Sequence, residues 1–153
     1  MFVNALIETE DLVIRPYKIE DIDALYEAVS TPDFYKYIPE EVPTHEDVAN
    51  IVKWSVDCCR KNTQDKIYKF NLAIIYKHNH KLIGFCGLGP SDIDSSEIEI
   101  YYGMDERYRG KGLTTQAAKA VMKYGFETIA LNRIVTIVHP DNLPSLKILE
   151  KLG

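Results

Sequence analysis

Three β-rich runs that follow one another closely constrain the fold of this chain more than any other feature. They are YKFNLAIIY at 68–76, KLIGFCGLG at 81–89 and SEIEIYYGM at 96–104. The polar stretch KHNHK between the first two runs is typical of a hairpin turn. The third run alternates acidic and β-branched residues, a period of two that indicates a strand. The runs therefore predict strands of a central sheet.

The rest of the chain supplies helices that can cover this sheet. Thr44 with Asp47 three residues later has the pattern of a helix N-cap, and the helix that follows is expected to run to about Arg60. The predicted order is β-α-α-β-β-β-α-β-α, a mixed α/β domain with a central sheet. Its further strands are predicted at 12–17 and 133–138 and its further helices at 19–30, 113–129 and 142–152.

Size and composition place the chain among ordinary globular proteins. Its 153 residues and 17.5 kDa, with 46% hydrophobic and 27% charged residues, predict one domain over 1–153. A net charge of −5 argues against nucleic acid as a partner, because phosphate binding needs a basic face. The sequence starts without a basic, apolar leader and contains no run long enough to cross a membrane. We expect a cytoplasmic protein with no membrane partner.

The cysteines and histidines give no pattern of a metal site. The three cysteines are an odd number without CxxC spacing, which favours buried thiols in a reducing cytosol. The histidines are scattered, and the HNH stretch at 78–80 has no cysteine or carboxylate at ligand spacing, so no metal is expected.

The stretch RYRGKG at 107–112 stands directly before the predicted helix at 113–129. It is not a P-loop, because Gly112 rather than Ser or Thr follows Lys111. It is not a dinucleotide-binding fingerprint either, because Thr115 occupies the place of the third glycine.

What remains is a turn in which Gly110 and Gly112 allow the backbone amides to fold inward. Such amides, together with a helix N-terminus, favour a phosphate or pyrophosphate. Arg107, Arg109 and Lys111 are expected to add positive charge. The alternative is an ordinary surface loop whose basic side chains are solvated.

Two long segments, EIYYGMDERYRGKGLTTQAAKAVMKYGF and RIVTIVHPDNLPSLKILEKLG, resemble the GNAT family of acetyl-CoA-dependent N-acetyltransferases. The N-terminal segment LVIRPYKIEDIDALYEAVSTPDFYKYIP is similar to the branch that contains the ribosomal-protein N-terminal acetyltransferases. The resemblance covers essentially the whole chain. It implies a GNAT-like acyl-CoA N-acyltransferase fold and acetyl-CoA as co-substrate.

The resemblance also implies where the co-substrate binds. In the family the turn before the helix binds the coenzyme A pyrophosphate through backbone amides, and pantetheine lies between two strands that splay apart, here 96–104 and 133–138. Carried to this sequence, the cofactor-binding residues are Tyr102, Gly103, Met104, Arg107, Arg109, Gly110, Lys111, Gly112, Thr114 and Asn142.

The family often carries a glutamate that accepts the proton of the amine through water, and Glu99 is its counterpart here. Glu97 is a second candidate, closer to the start of the strand. The alternative is that both acids are solvated residues of an alternating strand.

For the proton donor to the departing thiolate, many relatives use a tyrosine seven residues after the asparagine, where this chain has Leu149. The branch resembled here has a serine three residues after it, and Ser145 matches that position. A serine in a first helical turn can also simply bond its own backbone. His139 is better interpreted as part of a strand exit than as a base.

The amine acceptor is expected to meet the irregular segment TPDFYKYIPEEVP and the second helix. Phe34, Tyr35, Tyr37, Glu40 and Glu41 offer an aromatic, acidic slot, or else ordinary loop packing.

Relatives continue past the final KLG with two more strands, so the fold is expected to lack them here and to expose the edge at 133–138. A monomer, or a homodimer through that edge, is compatible with this. The functions left open are transfer of an acetyl group to a peptide α-amine or a small amine, a non-catalytic acyl-CoA-binding module, and, more remotely, a nucleotide-binding domain.

Overall fold

The computed structural model describes residues 1–31, 42–91 and 93–136 of the chain. Two short 3-10 turns, at Ile19–Asp21 and Glu106–Tyr108, accompany the regular elements. The strands are β1 (Ile7–Glu8), β2 (Leu12–Pro16), β3 (Phe70–Tyr76), β4 (Leu82–Pro90) and β5 (Ile98–Met104), and the helices are α1 (Ile22–Val29), α2 (His45–Lys61) and α3 (Leu113–Glu127).

The strands form one antiparallel sheet in the order β1-β2-β3-β4-β5. The predicted meander and its hairpin turn at 77–81 are confirmed, and the bounds of β2 to β5 and of α3 agree with the predicted bounds within two residues. β1 was not predicted, because two residues are too few to show a strand period.

Beyond β5 the chain returns to the sheet at Val135, which forms a parallel bridge with Glu99. The amide of Ile100 donates to the Val135 carbonyl over 2.9 Å, and the Val135 amide donates to the Ile98 carbonyl over 2.8 Å. The described part of the predicted strand at 133–138 thus contacts β5 through this one bridge, and 137–138 and the predicted helix at 142–152 lie outside the described residues.

Each face of the sheet buries its own apolar cluster. On one face α3 packs its fully buried Ala117 and Ala118 against strand residues such as Leu72 and Leu88. On the other face α1 and α2 cover Ala73, with Val52 of α2 fully buried there. The small residues of α3 allow close packing, as their side chains predict. The sheet is thus a rigid floor between two helical layers.

The start of α2 confirms the predicted cap. Thr44 Oγ1 accepts a hydrogen bond from the Asp47 amide over 3.1 Å, and the Asp47 carboxylate accepts one from the Thr44 amide over 2.9 Å. This reciprocal pair satisfies amides that the first turn of a helix leaves without acceptors.

Cys58, Cys59 and Cys86 are buried free thiols, and burial raises the pKa of Cys86 to about 12. No three metal-ligating side chains come together in the described part of the chain. Nor does any helix there combine the length and apolar character that crossing a membrane requires.

Candidate active site

The glycine turn before α3 has the backbone conformation that an anion site needs. Gly110 has φ of 80° and Gly112 has φ of 76°, both in the left-handed region, and α3 begins directly after Gly112 at Leu113. Lys111 between them does not share this positive φ. A left-handed residue beside a right-handed or extended one turns successive amides toward the same side, the geometry of an anion-binding nest.

The amides of this turn have no acceptor within the described protein. From Gly110 to Thr115 no backbone N–H donates to a described acceptor. The next amide along the chain, that of Gln116, donates to the Gly112 carbonyl over 3.1 Å. Gly110, Lys111 and Gly112 are exposed. These amides and the positive end of the α3 dipole are therefore available to an anion.

A buried aspartate holds the turn in place. Asp105 is 1% exposed, and its amide donates to the Ile83 carbonyl of β4 over 2.7 Å. Its carboxylate accepts from the Arg107 amide over 3.0 Å and from Arg107 Nη2 over 2.6 Å. Burial raises the pKa of Asp105, but the hydrogen bonds and charge of Arg107 outweigh burial, so the pKa lies below its ordinary value.

The Arg107 side chain, one of the three expected to add positive charge, is paired within the protein. Besides Asp105 it pairs with Glu27 of α1 at 3.5 Å, and its hydrogen bond with Asp105 raises its pKa. Arg109 uses Nε to donate to the Met104 carbonyl over 3.1 Å, and Lys111 lies over the Tyr108 ring at 5.5 Å. The positive charge nearest the glycines is thus that of Arg109 and Lys111.

The first turn of α3 is fixed by a polar cluster that the sequence did not predict. Gln116 Nε2 donates to the Asp11 carboxylate over 2.8 Å, and Gln116 Oε1 accepts from Thr9 Oγ1 over 2.7 Å. The same Asp11 carboxylate meets His78 Nε2 of the hairpin at 2.9 Å. The pKa of Asp11 lies below its ordinary value, chiefly because of the hydrogen bond from Gln116 and next because of the hydrogen bond with His78. α3 is thereby held against β2 and the hairpin.

The residues of β5 with predicted pantetheine contacts differ in which edge of the strand their backbone groups face. Ile98 and Ile100 direct their backbone groups to Val135, so by alternation Tyr102 and Met104 point to that same edge. Gly103 is correspondingly directed at its partner Phe85 in β4. The contact of Gly103 with pantetheine stays a prediction, and the Met104 carbonyl accepts a hydrogen bond from Arg109 Nε.

The two candidate bases differ in their surroundings. Glu97 forms an ion pair with Arg133 Nε at 3.4 Å. Glu99 is half-buried, pairs with Gly89 across the β4–β5 ladder, and belongs to the face that α1 and α2 cover. Glu99 therefore faces the side expected to receive the acceptor.

A chain of polar side chains runs across this face beside Glu99. The Tyr101 hydroxyl donates to Asn71 Oδ1 of β3, and Asn71 Nδ2 donates to Ser55 Oγ of α2 over 2.7 Å. Burial raises the pKa of Tyr101 well above its ordinary value, so the phenol stays protonated. The proton of Tyr101 is committed to Asn71, and the ring is held fixed over the sheet.

Several predicted site residues cannot be placed. Ser145 and Asn142, with Leu149 and His139, lie outside the described residues, as do the acceptor-segment residues Phe34, Tyr35, Tyr37, Glu40 and Glu41. Thr114 is half-buried in the first turn of α3. Sequence analysis missed Asp105 and Gln116, and only the position of Asp105, directly after a strand and two residues before an arginine, gave a signal.

Comparison with known proteins identifies this arrangement. The family model for the acetyltransferase (GNAT) domain matches residues 11–153. YnaD of Bacillus subtilis, an uncharacterized N-acetyltransferase, is 33% identical over 147 residues, which are 96% of this chain and 81% of that protein. The crystal structure of a GNAT-family acetyltransferase from Bacillus anthracis is 34% identical with a TM-score of 0.78 and covers 97% of this chain and 82% of its own.

A third similar structure is the ribosomal-protein-S5-alanine acetyltransferase of Vibrio fischeri. It has a TM-score of 0.82 over 98% of this chain and 82% of its own, at 22% identity, which shows the shared fold. The antiparallel sheet with helices on both faces is the fold of the GNAT acyltransferases. The chain belongs to the GNAT acetyltransferase family: it is an acetyltransferase, and its acetyl donor is acetyl-CoA.

Proposed function

We propose that this enzyme transfers the acetyl group of acetyl-CoA to a primary amine, either the α-amine of a protein N-terminus or a small-molecule amine. The observation that carries the proposal is the run of amides from Gly110 to Thr115 without described acceptors, beside two glycines of positive φ. A diphosphate fits such amides because it offers several oxygen acceptors and negative charge at once.

The turn binds the pyrophosphate, with Arg109 and Lys111 supplying charge and Thr114 at the helix start. The pantetheine arm lies along the edge of β5 at Tyr102 and Met104. Arg107 contributes by pairing with Asp105, which holds the turn in place, and Asn142 is a further residue that we propose contacts the arm.

The bound donor supplies an acyl group already activated as a thioester. The chain's own residues hold amine and carbonyl in line, which is worth up to ~7–11 kcal/mol of the barrier. Glu99 accepts the proton of the attacking amine through a water molecule. As the amine nitrogen bonds the carbonyl carbon and the carbon–sulfur bond breaks, Ser145 protonates the leaving sulfur.

An α-amine is the acceptor that this chemistry favours. Its pKa of about 7.7–8 means that a sizeable share is neutral near pH 7, whereas a lysine amine of pKa about 10.4 is almost wholly protonated. The structural similarity to a ribosomal-protein-S5-alanine acetyltransferase supports the same branch. The free buried thiols support a reducing, cytoplasmic location. We propose that residues 1–153 form a single domain.

A thiol-release assay with acetyl-CoA and a panel of amines tests the proposal. Glu99→Gln should lower kcat by about 10²–10⁴, the usual contribution of a general base, while the dissociation constant of acetyl-CoA changes little. The matched control is Glu97→Gln two residues earlier, whose carboxylate pairs with Arg133 and should retain activity near that of the wild type.

Equal losses in Glu99→Gln and Glu97→Gln would contradict the role of Glu99. Binding of acetyl-CoA without release of thiol for any amine would instead identify an acyl-CoA-binding module. A similar comparison of Ser145→Ala with the wild type at high pH, where a thiolate leaves unaided, tests the proton donor.

A further inference from the structure

The face of the sheet that carries Glu99 has two neighbouring rows in which the central strand β4 contributes only glycine. In one row Asn71 of β3, Gly87 of β4 and Tyr101 of β5 lie side by side. In the next row Gly89 lies opposite Glu99. Continuing the β3–β4 register by one residue from Phe70 and Leu88 puts Lys69 in the third place, and its stem does lie against Gly89. Nothing projects from the middle of either row, so the side chains of the outer strands can lie flat across it.

The contacts confirm that they do so. A Cβ added at Gly87 would stand 2.6 Å from the Tyr101 ring, and one added at Gly89 would stand 2.7 Å from Cδ of Lys69. Real Cβ atoms do not approach so closely, so the two side chains occupy the space that the glycines leave. The stem of Lys69 therefore crosses β4 toward the strand of Glu99.

The ammonium group of Lys69 ends over the β4–β5 ladder. Its Nζ lies 3.3 Å from the Cβ position of Gly89 and 4.4 Å from the centre of the Tyr101 ring. Residues paired across antiparallel strands have Cβ atoms about 4.5–5.5 Å apart. The Lys69 cation thus stands beside the row position of Glu99, on the face where the acceptor arrives.

The position of Lys69 is also fixed within the described structure. The Tyr101 ring beneath it is anchored through Asn71 to Ser55 of α2. The side chain of Lys69 is half-buried, and no described carboxylate lies within ion-pair distance of its Nζ. A half-buried cation is screened less by salt than an exposed one, so it acts strongly on charges nearby.

We infer that Lys69 is a specificity-determining residue that binds a carboxylate carried by the acceptor close to its nucleophilic amine. The inference rests on the proposed function and narrows it. A carboxylate accepts a charge-assisted hydrogen bond from the ammonium while the amine of the same molecule reaches Glu99. A diamine meets like charge at that position and is disfavoured. The carboxylate belongs to a free amino acid or to an acidic first side chain of a peptide.

Steady-state kinetics with paired acceptors test this inference and separate the two sources. The free-acid pair is alanine against alaninamide, and the peptide pair is Asp-Ala amide against Asn-Ala amide, with 1,5-diaminopentane as the cationic acceptor. In the wild type kcat/KM should favour the carboxylate member of one pair. In Lys69→Met, which keeps an apolar stem over Gly89, that preference should fall by about tenfold, the size of one charge-assisted hydrogen bond.

Comparing the ratio between variants cancels the difference in basicity within each pair. Lys69→Arg should retain the preference because it keeps the charge. The matched control is Lys66→Met, which removes an exposed lysine that lies over the Tyr68 ring at 4.8 Å, and its ratio should equal that of the wild type. Should Lys69→Met fail to fold, the affinities of N-acetylalanine and N-acetylalaninamide for the CoA-bound wild type measure the same preference.

Each result decides between the hypotheses. An unchanged ratio in Lys69→Met, an equal fall in Lys66→Met, or a wild-type preference for the diamine overturns the role of Lys69 and leaves amine acetylation standing. Failure to consume acetyl-CoA with every acceptor overturns the proposed function itself.

Discussion

At the scale of single residues, Asp105 shows how a buried charge can shape a site without touching a ligand. Its carboxylate is enclosed, and Arg107 satisfies it from both the backbone and the guanidinium. A buried charge is tolerated only with such partners. The arginine that the sequence marks as a cofactor ligand is therefore first a counter-ion.

Removing the charge of Asp105 should destabilise the protein at neutral pH. Because the folded pKa is lowered, ionisation stabilises the fold fully above the unfolded pKa of about 3.9, and this contribution is lost as the pH falls through the lower folded value. Asp105→Asn should lower the free energy of unfolding at pH 7 by about 1–3 kcal/mol, and its stability should fall less steeply than that of the wild type below about pH 4.

Urea unfolding at pH 7 and pH 3 measures this difference. Asp57→Asn is the comparison variant, since its exposed carboxylate pairs with Arg60 at 3.7 Å and such pairs contribute little. A parallel fall of the Asp105→Asn and wild-type curves below pH 4 would show that Asp105 is not the group responsible.

The role of a single residue could be predicted from the sequence where it depends on the backbone conformation of that residue. It could not be predicted where it depends on a partner far away in the sequence. Gly110 and Gly112 could be predicted because positive φ favours glycine itself. The place of Lys69 could not be predicted, because it depends on the register that sets Gly89 opposite Glu99. The orientation of Gly103 depends likewise on which edge of β5 faces β4.

At the scale of elements, local chemistry fixes where helices start. The capping pair of Thr44 and Asp47 could be predicted because both partners lie within one turn of sequence. β1, with only Ile7 and Glu8, could not, because its existence depends on pairing with β2 rather than on a pattern of its own. Elements with sufficient length and period were therefore found, and the shortest was missed.

Loss of the cap should weaken α2 measurably. Thr44→Ala removes the acceptor for the Asp47 amide and should cost about 1 kcal/mol of unfolding free energy, with a lower urea midpoint and an unchanged m-value. Thr44→Ser keeps a hydroxyl at the same place and should stay within a few tenths of a kcal/mol of the wild type. Equal losses in both variants would indicate that the methyl group, and not the hydrogen bond, stabilises this helix end.

At the scale of the whole molecule, the donor site and the fold are thermodynamically linked. A ligand that binds only the folded state stabilises it by about 2.7 kcal/mol at a hundred times its dissociation constant. Acetyl-CoA should accordingly raise the midpoint of thermal unfolding in a concentration-dependent way, whereas ATP at the same concentration should have a smaller effect.

The glycine turn gives this experiment an internal comparison. In Gly112→Ala a Cβ meets no described atom, so any effect comes from the positive φ of 76°, which costs an L-residue about 1 kcal/mol or more. Relaxation of the turn should reduce the stabilisation by acetyl-CoA relative to the wild type. Equal stabilisation by ATP and acetyl-CoA, or an undiminished shift in Gly112→Ala, would contradict the assignment of this turn.

The bare centre of β4 has a consequence for how such an enzyme can change. Gly87 and Gly89 add no side chains to that face, so the residues beside them determine its polarity and charge. The neighbouring strands also contribute residues to the apolar cluster on the opposite face. Substitutions at 69 and 101, whether natural or engineered, can therefore change which substrate binds without any change in β4.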